Sequence, residues 1–155
     1  MKPGLAELSM WNPGALATAA AGATDIRAQL DRTASDTEQS ASWTRRGWDS
    51  VAADTAFAYI GSAQAEASRI AIVCGELEAA LLTAQTSISQ ARTDALEAAT
   101  TARGEGFDVT DSGVVAPSAI QLVSAGDSDT ERSQLQARAR ALTTQIQNAL
   151  NAVDA

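Results

Sequence analysis

From Ala53 to Ala102 apolar residues recur at alternating spacings of three and four: Ala53, Ala56, Ile60, Ala63, Ala67, Ile70, Cys74, Leu77, Leu81, Ala84, Ile88, Ala91, Ala95, Ala98 and Ala102. That is a heptad stripe, the period that lays one helix along another at a shallow left-handed angle. It predicts a helix over about residues 51–103, roughly 75 Å long at the usual rise. Arg103-Gly104 reads as a charged last turn with a glycine stop. Gly61 and Gly75 are soft spots, each costing about 1 kcal/mol relative to alanine.

A weaker stripe precedes it. Leu16, Ala19, Ala23, Ile26, Leu30, Thr33 and Thr37 keep the same alternation, apolar at first and then polar. They predict a helix over about 13–42, with Asn12 as N-cap, Pro13 at its first position and Trp11 stapled onto Leu16. The connecting turn, 43–50, reads Trp43-Thr44-Arg45-Arg46-Gly47-Trp48-Asp49-Ser50. Gly47 suits the left-handed conformation that ends a helix, and the two arginines suit the negative end of its dipole. Asp49 or Ser50 caps the next helix.

Residues 104–126 break the pattern. Phe107, Val109, Val114 and Val115 flank Asp111-Ser112-Gly113, the signature of an ordered loop or small β-hairpin, with a helical turn near Ala119–Val123. Such a hairpin is marginal alone and should lean on the helices through Phe107 and the valines. A last helix over 127–155 opens with Ser128-Asp129-Thr130-Glu131, a capping box by sequence, and carries Leu135, Ala139, Leu142, Ile146, Ala149 and Val153. The expected fold is all-α: a helical hairpin over 1–103, and a third helix packed on the half of the second that the shorter first helix leaves uncovered.

Composition sharpens this. Alanine supplies 35 of the 155 residues, so the seams bury little area per residue and two such helices alone are barely stable. A third helix, a second copy or another helical hairpin protein must cover the remaining stripe. With no histidine and one cysteine, the chain has no Zn-ligand set, no intrachain disulfide and no His-dependent triad. Cys74, on the seam, reads as a small hydrophobe. The carboxylates Asp108, Asp111, Asp127, Asp129 and Glu131 match no twelve-residue calcium loop and read as solvated or capping groups. A net charge of −8 argues against nucleic acid and anionic membranes. No stretch reaches the roughly 18 apolar residues of a membrane span, and Glu7, Asn12, Pro13 and Gly14 interrupt any leader. No catalytic residue, metal site or cofactor is expected.

The string Trp48-Asp49-Ser50-Val51-Ala52-Ala53, between two heptad-patterned helices, resembles the Trp-x-Gly turn of the WXG superfamily of type VII (ESX) secretion substrates. Its nearest form is the extended W-x-G-x-A-A of actinobacterial members. The resemblance covers about residues 11–103, and Ser50 stands where the family carries glycine. The family's Tyr-x-x-x-Asp/Glu export signal has no counterpart here, because Tyr59, the only tyrosine, is followed four residues on by Ala63. A partner or a C-terminal part would supply that signal.

The resemblance implies a non-enzymatic module acting in export or partner assembly, secreted without a Sec leader or associated with the cell envelope. Its partners would be another hairpin protein or a second copy, with secretion machinery or a chaperone. Trp43, Trp48, Ser50 and Ala53 form the candidate recognition turn, and Ile60, Ile70, Leu77, Leu81, Ile88, Leu135, Leu142 and Ile146 the candidate seam. Two alternatives are the N-terminal targeting module of a larger hydrolase or toxin, and a cytoplasmic coiled-coil scaffold.

Overall fold

The computed structural model describes residues 2–153. The fold is all-α with a short hairpin insertion: α1 (Leu5–Met10), α2 (Gly14–Arg45), α3 (Val51–Gly104), β1 (Phe107–Val109), β2 (Val115–Pro117), α4 (Ala119–Ala125) and α5 (Asp129–Val153). The predicted last residues of the final helix, Asp154 and Ala155, lie outside the described residues. Two compact units divide the chain within α3. One is Gly14–Ala84, the hairpin unit; the other, the terminal unit, joins residues 2–13 to 85–153.

In the hairpin unit the inward stripe of α2 is Leu16, Ala20, Ala23, Arg27, Leu30, Ala34 and Thr37. That of α3 is Ala53, Phe57, Ile60, Gln64, Ala67, Ala71, Cys74, Glu78 and Leu81. Half of each stripe is the predicted seam. The other half is rotated by one residue, which corrects the sequence expectation: Ile26, Ile70 and Leu77 are exposed, while Arg27, Ala71 and Glu78 face inward.

Contacts at both ends of the stripe account for the rotation. Near the turn, Phe57 is buried with the Arg45 guanidinium 4.5 Å over its ring and Trp48 edge-on at 6.3 Å. Such a ring gains more from burial than the neighbouring Ala56 would. Farther along, the Gln64 amide donates to the Ala34 carbonyl at 3.2 Å, and Arg27 meets Glu78 at 3.5 Å. Ala20, Ala23, Ala53 and Ala71 are buried, and side chains this small let two helices approach closely.

The turn departs from expectation in one respect. Arg46 N–H donates to the Trp43 carbonyl at 3.3 Å and Gly47 N–H to that of Thr44 at 3.1 Å, tight i→i−3 bonds that close the helix without a left-handed residue. Among the described residues positive φ occurs at Gly106, Gly113 and Gly126, not at Gly47 or Gly104. Ser50 caps α3, its Oγ accepting Ala53 N–H at 3.2 Å, and Asp54 lies in the first turn.

The terminal unit packs small residues of α3 against large ones of α5. Ala95, Ala98, Ala99 and Ala102 meet Leu142, Ile146 and Leu150 in one core, which Leu5, Leu8, Phe107 and Val115 complete. The strands pair antiparallel, Phe107 opposite Pro117 and Val109 opposite Val115. They lean on α5 through the buried Phe107 and Val115, whose N–H donates to Thr143 Oγ1 at 2.9 Å. Ser118 and Gln121 form a capping box on α4, and Ser128 Oγ accepts Glu131 N–H at 3.4 Å at the start of α5.

The six-residue α1 has no counterpart in the sequence pattern. Asp111, at the hairpin tip, holds its start: the carbonyl accepts Leu5 N–H at 2.8 Å and Oδ1 accepts Ala6 N–H at 2.7 Å. Arg92 holds its end, donating to the carbonyls of Leu8 at 3.0 Å and Ser9 at 2.7 Å.

Candidate functional site

The residues expected to form a recognition turn cluster at one end of the hairpin unit. Trp43 is 67% exposed, with the Arg46 guanidinium 5.3 Å from its ring. Trp48 is 45% exposed, its remaining surface turned edge-on to Phe57. Val51 follows in solvent. Ser50 serves as the helix cap, and Ala53 is buried beneath the turn. The turn therefore offers two indoles and two guanidiniums on a capped, hydrogen-bonded frame.

The candidate seam residues separate into three groups. Leu142 and Ile146 are fully buried, and Leu135 packs half-buried against the same core. Ile60, Leu81 and Ile88 are half-buried. Ile70 and Leu77 are not seam residues, being 44% and 50% exposed. Leu150, fully buried on α5, belongs to the core although the pattern pointed to Ala149 and Val153 beside it.

Ile70 and Leu77 belong instead to an apolar flank of the hairpin unit. Ile26, Tyr59, Ile70, Val73 and Leu77 are all exposed, and each stands one residue before an inward one: Arg27, Ile60, Ala71, Cys74 and Glu78. One residue is about 100° of helix. In antiparallel helices the same backward step carries side chains to the same side of the pair, so Ile26 of α2 lies on the flank that α3 lines with Tyr59, Ile70, Val73 and Leu77. Exposed apolar residues grouped in this way mark interaction surfaces, whereas scattered ones are ordinary. The signal for it was present in Ile70-Ala71-Ile72-Val73-Cys74, where α3 is apolar all round, so that whichever stripe faces α2 leaves aliphatic side chains exposed.

The polar groups make structural contacts. Arg138 Nε donates to Glu105 Oε2 at 2.8 Å, a second guanidinium N–H reaches Oε1, and Arg138 also lies near Leu135 on the wall of α5. That hydrogen bond holds the Glu105 carboxyl below the usual carboxylate range, and Glu105 raises Arg138 in return. Asp127 lies 3.8 Å from Arg132, and Asp111 binds α1. Cys74 is a half-buried free thiol. Among the described residues no three His, Cys, Asp or Glu side chains gather as a metal site, and no helix is long and apolar enough to cross a membrane.

Comparison of the chain with protein-family models, with curated proteins and with solved structures found no match.

Proposed function

We propose that this chain is a non-enzymatic helical interaction module that works in export or partner assembly, in the manner of WXG/ESX type VII secretion substrates. One observation carries this reading: the hairpin unit leaves Ile26, Tyr59, Ile70, Val73 and Leu77 uncovered on a single flank while the buried contacts between its own helices are alanines and one ring, Phe57. Burying a large aliphatic side chain is worth about 1.5–3 kcal/mol, so a flank of this kind is a standing source of association energy.

The indole turn supports the export half of the reading. Trp43 and Trp48 are accessible, and the Trp48–Ala53 string resembles the family's turn with serine in the glycine position. In this reading the protein leaves the cell without a Sec leader, or resides at the cell envelope, alongside another hairpin protein or a second copy. Secretion machinery or a chaperone reads the turn.

Two substitutions test it, Trp48→Ala and Ser50→Arg, with helicity followed by circular dichroism. The proposal expects export in the source organism to fall in both while helix content stays. Normal export of both variants would remove it.

A further inference from the structure

We infer that the seat of α1 is a binding site for a short helix supplied by a partner protein, of the form Gly-Leu-x-x-Leu, and that α1 is the resident segment which such a partner displaces. The site belongs to the terminal unit and depends neither on the apolar flank nor on the indole turn.

The seat holds a helix by its ends. At one end the Asp111 carbonyl and carboxylate accept the N–H groups of Leu5 and Ala6, and at the other Arg92 donates to the carbonyls of Leu8 and Ser9. Terminal N–H and C=O groups are common to every helix, so these four contacts ask for no particular side chain. The carboxylate meets the positive end of the helix dipole and the guanidinium the negative end, which fixes the direction of entry. Neither clamp residue belongs to α1. Arg92 stands on α3, and Asp111 on a hairpin tip closed by Gly113 N–H donating to the Thr110 carbonyl at 2.9 Å.

Within the segment 4–10, side chains matter at three places. Leu5 and Leu8 are buried in the core, whereas Ala6, Glu7, Ser9 and Met10 are exposed. At Gly4 a Cβ would stand 2.1 Å from Asp111 Oδ2, so the close approach of the carboxylate calls for glycine. Those three places give the motif.

The segment is also built to leave. Six residues lie well below the length at which a helix holds itself in water. Trp11 departs from α1 in extended conformation (φ −64°, ψ 138°), and Pro13 has no N–H with which to continue one helix into the next. α1 therefore lifts without unwinding α2. Its departure uncovers the core that Leu5 and Leu8 complete, and a second helix of the same form covers it again. The tether holds α1 at an effective concentration on the order of millimolar, so a partner segment competes for the seat.

The experiment uses a peptide of residues 2–12 as the probe, with the full chain. In wild type, amide exchange is followed with and without about 1 mM peptide. Residues 5–10 are expected to exchange faster when it is present, while Val115 stays protected. In a second arm, anisotropy of the fluorescein-labelled peptide is titrated with wild type, Leu8→Asp, and Leu8→Asp/Arg92→Ala. Leu8→Asp, whose own α1 no longer seats, should bind at least about tenfold more tightly than wild type, and Arg92→Ala in that chain should remove about tenfold. Peptides carrying Gly4→Ala, or Leu5→Ala with Leu8→Ala, should bind at least about tenfold more weakly. Unchanged exchange of residues 5–10 overturns the inference whatever Leu8→Asp does, and so does a peptide without both leucines that binds equally well. Self-association of wild type that Leu8→Asp abolishes would place a second copy's α1 in the seat and overturn the partner as stated.

Discussion

Arg27 of α2 and Glu78 of α3 approach to 3.5 Å between the two helices, and each is the chain neighbour of an exposed aliphatic residue, Ile26 and Leu77. A charged pair thus takes the inward place that periodicity assigns to two hydrophobes. Partly exposed as it is, the pair contributes little stability, about 1 kcal/mol at most. Its importance is geometric. The rotation that lets the guanidinium reach the carboxylate also turns the larger apolar side chains out, and so creates the flank on which the functional reading rests.

Two glycines should respond in opposite directions to alanine. Gly61 lies inside α3 with open space where a Cβ would stand, so Gly61→Ala should stabilise the hairpin unit by about 0.5–1 kcal/mol. Gly113 has φ +78°, and a Cβ there would fall 2.6 Å from Ile146 Cγ2. Gly113→Ala should destabilise the terminal unit by about 2 kcal/mol or more. Urea denaturation with one probe in each unit reads both.

Asp111 is the residue that docks α1. Asp111→Ala removes the acceptor of Ala6 N–H and should cost about 1–2 kcal/mol, with faster amide exchange confined first to residues 5–10. Asp111→Asn keeps an oxygen at that place and should lose less. Equal exchange in wild type and Asp111→Ala would show that the carboxylate does not hold the segment and that the Asp111 carbonyl, Arg92 and the buried Leu5 and Leu8 suffice.

Acid should act partly through Glu105. Its folded-state pKa lies below the ordinary carboxylate value, so the stability it contributes is complete above that ordinary value and is lost as pH falls through the lowered one. The gap in melting temperature between wild type and Arg138→Gln should therefore be full at neutral pH and close progressively below about pH 4. A gap that stays constant from pH 7 to pH 2 would mean the pair is not formed.

Much of the fold was legible in the chain. The turn after α2 and the end of α3 near Gly104 were legible, although α2 runs three residues past the expected 42 and closes without a left-handed Gly47, and the capping signals at Ser50 and Ser128 are realised as hydrogen bonds. The β-hairpin was legible in Phe107, Val115 and the Asp-Ser-Gly tip between them. Less visible was the choice between two adjacent stripes on α3. Alanine occupies both, and a pattern that counts alanine as apolar cannot tell Ala71 inside from Ile70 inside. What decides is Phe57, a single ring near the turn, and the cross-helix reach of Arg27 and Gln64, which heptad counting treats as polar and therefore outward. The short α1 was invisible for another reason: it is held through Asp111, more than a hundred residues away. Of the candidate site, the Trp43–Trp48 turn could be read directly, whereas Tyr59 and Val73 emerged only once the register was known.

The central claim is that Ile70 and Leu77 serve association and not the hairpin's own packing. The most direct measurement is paired, on Ile70→Ser/Leu77→Ser: thermal unfolding followed by circular dichroism at low concentration, and molar mass by light scattering at high concentration. The account predicts a melting temperature within a few degrees of wild type together with loss of the associated species. A variant that unfolds far earlier, as removal of two buried aliphatic side chains would cause, while the associated species persists, would contradict it.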